Sequence, residues 1–172
     1  IDEIARRAEQ VDCPKEGALI DILESLEDLG RIVIYAGFTG SIERICAICK
    51  KIGWEYLRMD GKGVECSFAV EANREPLAYF QRIGLSGPDK LAFVGHPGSA
   101  GMGITLHEAN TIVYWSNDFN AESRIQSEDR IHRMGMKDSA TIIDFIHLES
   151  DKIVLENLKK KRDLQAITLG EI

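Results

Sequence analysis

Residues 31–54 read RIVIYAGFTGSIERICAICKKIGW, and this stretch decides the fold. It opens with Arg31 to Ala36, a short β-rich run whose apolar residues, Ile32 to Ala36, are continuous rather than alternating, as expected of a strand buried on both faces. Gly37 to Gly40 turns the chain, and Ser41 to Lys51 is predicted to be a helix with Ile42, Ile45, Ile48 and Cys49 on its inward face. Trp54 to Met59 then reads as a second strand, closed by the turn signal Asp60-Gly61. A strand, a helix and a strand in that order favour a parallel crossover.

The same alternation continues outward in both directions. Upstream, Lys15 to Leu29 carries Leu19, Ile20, Ile22, Leu23, Leu26 and Leu29 at helical spacing, and Gly30 stops it. Downstream, Lys62 to Val70 reads equally as loop or as a small added strand, and Glu71 to Ile83 as a helix. Strands follow at Lys90 to Val94, Thr111 to Trp115 and Ala140 to Phe145, with helices at Ala121 to Arg133 and Asp151 to Leu164. The expected class is α/β, a mostly parallel sheet with helices on both faces. Ligands of such sheets bind at loops leaving the carboxyl ends of strands, so the loops after Ala36, Met59, Val94 and Trp115 are the places to search. Pro14 separates a polar N-terminal segment, 1–14, from one domain spanning 15–172.

A chain of 172 residues suits one such domain, and 44% apolar with 28% charged residues is ordinary for a globular protein. The net charge of −7 disfavours tight autonomous binding to nucleic acid, which usually needs a basic excess. No apolar run approaches the roughly 20 residues that span a bilayer, so no membrane partner is expected. Without an initiator Met, the chain is expected to be part of a longer one. Cys46 and Cys49 form a C-x-x-C pair inside an apolar helical stretch, without the second cysteine or histidine pair of a zinc site. Two packed thiols in a reducing, cytoplasmic setting are the expectation.

Two stretches carry chemistry. Residues 95–106, GHPGSAGMGITL, bring four glycines within nine residues, which allows close backbone approach to a phosphate and offers bare N–H donors. Simple turn geometry explains them equally well, and no P-loop pattern occurs in the chain. Residues 126–135, QSEDRIHRMG, set Gln126, Arg130 and Arg133 on one helical face. Two arginines near a helix C-terminus can simply complement the helix dipole. Alternatively they form an arginine finger pair, whose planar forks meet charge on a transferring phosphoryl group.

In this order, Gly98 to Leu106, Thr111 to Trp115, Asn120, and Gln126 to Gly135 resemble motifs V and VI of superfamily 2 helicases, and most closely the Snf2-like branch with its bacterial and phage members. Arg31 to Thr39 resembles motif IV, and Tyr56 to Gly61 a further element of that family, so the resemblance runs collinearly over residues 15–165. It implies a RecA-like three-layer α/β/α lobe, the second of the two lobes of a DNA-dependent ATPase. Departures from the family pattern include Thr105 for an asparagine, Met136 for a glutamine and Gly37 for a glutamine.

Carried over by position, Arg133 is implied as the principal finger on the γ-phosphate, with Arg130 beside it. Gln126 is implied to couple nucleotide state to lobe closure, and Gly101 and Gly103 to shape the motif V loop. Phe38, Thr39, Arg58 and Ser99 are implied along the DNA backbone. The resemblance also implies ATP with Mg2+, the metal held by a missing N-terminal RecA-like lobe, and double-stranded DNA as partner. A bacterial or phage-infected cytoplasm is the implied setting, and the isolated chain is expected to be inactive. Two competing readings are a RecA-like binding module without catalysis and a doubly wound enzyme whose glycine loop cradles a phosphate. The latter predicts G-x-G-x-x-G at the first strand-to-helix turn, where Gly37-Phe38-Thr39-Gly40 stands instead.

Overall fold

The fold was obtained as a computed structural model, in which residues 12–82, 87–98, 104–118, 120–131 and 140–169 are described. Helix α1 (Lys15–Ser25) precedes strand β1 (Arg31–Tyr35), followed by α2 (Thr39–Lys51), β2 (Glu55–Asp60) and β3 (Gly63–Cys66). Then come α3 (Pro76–Phe80), β4 (Leu91–Gly95), β5 (Thr111–Tyr114), α4 (Ala121–Asp129), β6 (Thr141–Asp144) and α5 (Glu149–Leu169). The strands form one sheet in the order β3-β2-β4-β1-β5-β6. Every pairing is parallel except β2 with β3. The α/β reading is therefore correct.

Strand β1 shows why a continuous apolar run was required. It lies between β4 and β5, and all five of its residues are buried. The two-residue period of a strand sends alternate side chains to opposite faces. Ile32 and Ile34 join Leu19 and Leu23 of α1 and Ile42, Ile45 and Cys49 of α2 in one core. Val33 and Tyr35 join Phe80, Phe93, Leu106, Tyr114 and Ile131 in the other. Among the described residues no helix is long and apolar enough to cross a membrane.

The amino end of β1 is anchored by a cation without a carboxylate. Arg31 is 3% exposed, and its guanidinium donates to the carbonyls of Gly30, Tyr79, Phe80, Pro88 and Asp89 at 2.7–3.3 Å. Burial, aided by the nearby Arg82 charge, brings its pKa down to about 10, so it remains a cation at neutral pH. One side chain thus ties the end of α3 and the approach to β4 onto the central strand, adding a donor at the Gly30 and Tyr79 carbonyls, which also accept the Leu91 and Arg82 N–H groups.

Three boundaries differ from expectation. The helix expected over Glu71 to Ile83 forms only as Pro76–Phe80. Pro76 occupies its first turn, and Glu75 before it is extended at φ −84, ψ 131, as a residue preceding proline prefers. The ambiguous stretch after Gly61 resolves into β3, an edge strand turned back on β2. Helix α5 runs further than the Asp151 to Leu164 expected. In addition, α1 ends at Ser25, and Gly30 closes the turn that follows, at φ +67, with a Cβ there falling 2.1 Å from the Asp89 carbonyl oxygen.

Gly95, the last residue of β4, is required by a close approach. A Cβ there would lie 2.6 Å from the Met59 carbonyl oxygen of the neighbouring strand and 3.2 Å from the Phe93 ring. Gly95→Ala is expected to destabilise the chain by about 1–3 kcal/mol, the usual range for overpacking, since a strand backbone cannot yield as a side chain can. The urea midpoint measures this, and an unchanged midpoint would contradict the geometry.

Cys46 and Cys49 are free and buried in α2. Burial pushes both thiols up to about 12, so at pH 8 the reactive thiolate is nearly absent. Iodoacetamide at pH 8 should leave both unmodified in the folded chain and label them in denaturant. Rapid labelling of the native protein would revive a redox role for the pair.

Candidate functional site

The carboxyl ends of β1, β4 and β5 meet at one rim. The Ala36 N–H donates to the Gly95 carbonyl at 3.0 Å and the Trp115 N–H to the Tyr35 carbonyl at 2.8 Å, which extends the ladder into the loops. Beyond it, the Gly37 N–H donates to the Ser116 hydroxyl at 3.0 Å, and His96 lies 3.8 Å from Asp118. The loop after β4 turns tightly, with the Gly98 N–H donating to His96 Nδ1 at 3.0 Å. A Cβ on Gly98 would sit 3.3 Å from the Ser123 hydroxyl oxygen, in the first turn of α4. Turn, glycine loop and α4 therefore adjoin.

Helix α4 starts where its sequence says it should. Asn120 caps it by accepting from the Ser123 N–H at 3.1 Å. Gln126 is exposed on its surface, and its amide donates to Glu122 at 3.1 Å. Arg130 follows the last turn, half-buried. Its Nη1 donates to the Ile104 carbonyl at 3.0 Å, and its own carbonyl accepts from the Leu106 N–H at 2.9 Å. The arginine-bearing helix and the exit of the glycine loop, separated in sequence, are thus joined directly. Arg133, Ser99, Gly101 and Gly103 lie outside the described residues.

Phe38 and Thr39 are exposed at the start of α2, Phe38 by 69%. They border a groove of about 740 Å3 whose walls include Phe38, Ser41, Arg44, Trp115, Ser116 and Leu148. Trp115 is 4% exposed, a core residue rather than a stacking platform.

Arg58 departs from its expected position along a DNA backbone. It is 8% exposed, and its guanidinium donates to Asp60 at 2.7 and 2.9 Å and to Glu65 at 3.3 Å. The cause is the antiparallel edge. Arg58 faces Glu65 directly in the β2–β3 register, while Asp60, two residues on, shares its face of the strand. A cation so neutralised has little charge left for a phosphate.

Sequence reasoning overlooked Arg124. Its guanidinium lies 3.4 Å from the centroid of the Tyr114 ring and donates to Glu128 at 2.6 Å, Asp144 at 2.6 and 3.1 Å, and Asn117 at 2.6 Å. Arg162 of α5 donates to the same Glu128 at 3.2 Å, and Tyr114 shares a hydrogen bond with Ser127. Only the Arg124–Glu128 pair, at i and i+4, was visible in the sequence. Glu128 is buried and Asp129 exposed, so these adjacent carboxylates form no dyad. The run Lys159 to Arg162 is exposed along α5, consistent with a solvated helix face. Among the described residues no three His, Cys, Asp or Glu side chains gather as a metal site.

A RecA-like α/β lobe with a glycine loop and an arginine-bearing helix on its carboxyl rim defines the class. The helicase conserved C-terminal domain family matches residues 14–135, and the chain belongs to that family, in its Snf2-like branch. The chromatin-remodelling factor PICKLE of Arabidopsis thaliana is 25% identical over 164 residues, covering 93% of this chain and 11% of that protein. A SWI/SNF-related regulator of chromatin containing DEAD/H box 1A from Danio rerio is 28% identical, covering 90% and 16%. Helicase SWR1 of Kluyveromyces lactis is 29% identical, covering 94% and 10%. In structure, the C-terminal part of the Fun30 ATPase domain superposes with a TM-score of 0.65 at 20% identity, covering 87% of this chain and 48% of that one, which supports the fold. The chain thus spans only 10–16% of the length of these curated relatives.

The expectation of a bacterial or phage-borne cytoplasmic protein is overturned. The relatives come from Arabidopsis thaliana, Danio rerio and Kluyveromyces lactis, all eukaryotes, and two of them are named for chromatin.

Proposed function

We propose that this chain is the second motor lobe of an ATPase that tracks along double-stranded DNA, completed by an N-terminal RecA-like lobe. The observation that carries this is the direct linkage of the glycine-loop exit to the arginine-bearing helix at the carboxyl rim. In this reading Arg133 is the finger that meets charge developing on the γ-phosphoryl group, with Gln126 and Arg130 supporting it. Bound ATP with Mg2+ supplies the transferable phosphoryl group, the metal being held by the other lobe. The donor set fits a polyphosphate, because guanidinium and amide N–H groups supply hydrogen bonds and positive charge, the Gln126 amide exchanging its Glu122 partner for the nucleotide. Gly101 and Gly103 let the loop backbone pass close to phosphate, and Phe38, Thr39 and Ser99 face the DNA.

This chain brings no Walker A lysine and no P-loop, so alone it is not expected to hydrolyse ATP. Its charge of −7 assigns most of the DNA affinity to the rest of the protein. Two of the relatives are named for chromatin, whose DNA is double-stranded, which supports duplex DNA as the partner. The test is DNA-stimulated ATP hydrolysis by the two-lobed protein, wild type against Arg133→Ala. Equal turnover in the two would leave a binding module without catalysis as the better reading.

A further inference from the structure

Helix α5 lies against α4 and β6, yet among the described residues none of its side chains belongs to either core. Its amino end is pinned: Asp151 accepts from the His147 and Leu148 N–H groups at 2.9 and 3.0 Å and pairs with Lys15 at 3.3 Å. Further along, Leu155, Leu158 and Arg162 fall on one face at helical spacing. Leu158 is buried, but beside it a cavity of about 250 Å3 remains between Ile125, Ile142 and Leu155. A void forfeits the contacts that would otherwise fix one helix against the other. Apolar packing alone therefore leaves the seat of α4 on α5 loosely determined.

An ionic bridge crosses the gap. Glu128 is buried and divides its carboxylate between two helices. Oε1 accepts from Arg124 Nε at 2.6 Å, one turn back in α4, and Oε2 accepts from Arg162 Nη1 of α5 at 3.2 Å. The inner arm fixes α4 to the sheet, because Arg124 also holds Asn117 and Asp144 and lies on the Tyr114 ring. The outer arm ties α4 to α5, and its Arg162 side chain is 63% exposed, so it can be removed without opening a core. Glu128 stands two residues from Gln126 and two from Arg130. At about 100° per residue it lies opposite the face those two share, so the bridge holds the helix from behind.

We propose that Arg162 is a positioning residue for phosphoryl transfer: clasping Glu128 from α5, it sets the seat of the arginine-bearing helix. The proposal rests on the motor-lobe reading above. Its action is indirect, through Glu128 to the opposite face of α4, where Gln126 and Arg130 stand. Misplacing a reacting or supporting group by 1 Å can cost about 10²-fold in rate, and a helix loosened rather than displaced should cost less. An interaction sharpened only in the transition state shows in kcat and not in KM.

The test compares Arg162→Ala, Arg162→Lys, Glu128→Gln and Lys160→Ala with wild type in the two-lobed protein, using DNA-stimulated ATP hydrolysis and amide hydrogen exchange. Alanine keeps the helix propensity of α5, so any loosening comes from the lost bridge. For Arg162→Ala, kcat at saturating ATP and duplex DNA should fall about 3- to 10-fold, with KM for ATP unchanged within about twofold. Exchange over residues 122–129 should quicken by about 2- to 10-fold, as loss of one net hydrogen bond yields, with β1 and β4 unchanged. Arg162→Lys should recover part of both, since an ammonium can still donate to Glu128. Added to Glu128→Gln, Arg162→Ala should cost little more, because the partner is already altered. Lys160→Ala removes the same charge from an exposed position nearby and should leave both readouts at wild-type values.

An unchanged kcat in Arg162→Ala would overturn the proposal. So would equal losses in Lys160→Ala and Arg162→Ala, which would make both simple attractors of DNA, and so would full additivity with Glu128→Gln. Faster exchange throughout the sheet would overturn it too, leaving only a general contribution to stability. Wild-type protein without DNA-stimulated hydrolysis would sink the motor-lobe reading, while exchange in the single and double variants would still decide whether Arg162 seats α4.

Discussion

Arg133→Ala in the two-lobed protein is expected to cut DNA-stimulated ATP hydrolysis about 10³-fold, with ATP binding and the fold retained. A loss of that size corresponds to about 4 kcal/mol of transition-state stabilisation. The reasoning is electrostatic. A fixed guanidinium in a closed cleft meets charge that develops only as the phosphoryl group transfers, so its removal lowers kcat rather than raising KM. Arg133→Lys should recover little, because a flexible ammonium lacks the planar fork. Single-turnover hydrolysis at saturating ATP and DNA gives the clean measurement. A variant that raises KM alone would show that Arg133 binds nucleotide without serving the chemical step.

The second large effect concerns stability. Arg124→Leu is expected to destabilise the chain by about 3–5 kcal/mol, the range for removing one partner of a buried ionic network. The Arg124 side chain is 11% exposed, Glu128 7% and Asp144 18%, so the substitution leaves two carboxylates in the same half-dry pocket. Arg162 still donates to Glu128, but from an exposed position, and cannot replace the stack on Tyr114. For a domain of this size the melting temperature should fall by about 6–20 °C. Arg124→Leu combined with Asp144→Asn should recover part of the loss by removing one stranded charge, which separates the ionic contribution from the stacking one. A loss below about 1 kcal/mol would mean that the network is as weak as a surface pair.

How much of this was legible in advance follows from the range of each signal. The β1–α2–β2 unit could be read directly because a strand covered on both faces must be apolar throughout, and helical spacing then separates α2 from it. The start of α4 at Ala121 was equally local. The α3 boundary was misjudged because apolar spacing at Leu77 and Phe80 suggested a longer helix, while Pro76 and the residue before it denied one its amino-terminal start. Arg58 was misplaced because its neutralising partner Glu65 sits on an edge strand whose existence depended on pairing with β2. Arg124 was overlooked for the same kind of reason: Asp144 reaches it only once β6 lies beside β5.

Alone, the amino-acid order settled the α/β class, the strand-by-strand alternation and the family, since apolar periodicity and collinear motifs are properties of the chain itself. Tertiary structure decided which cations are available and which are engaged. Arg31 serves five backbone carbonyls, Arg58 and Arg124 are held by carboxylates, and Arg130 turns inward to the loop beyond the glycines. The physical reason is that a guanidinium is satisfied by whichever acceptors folding brings within about 3 Å, and those come from distant parts of the chain.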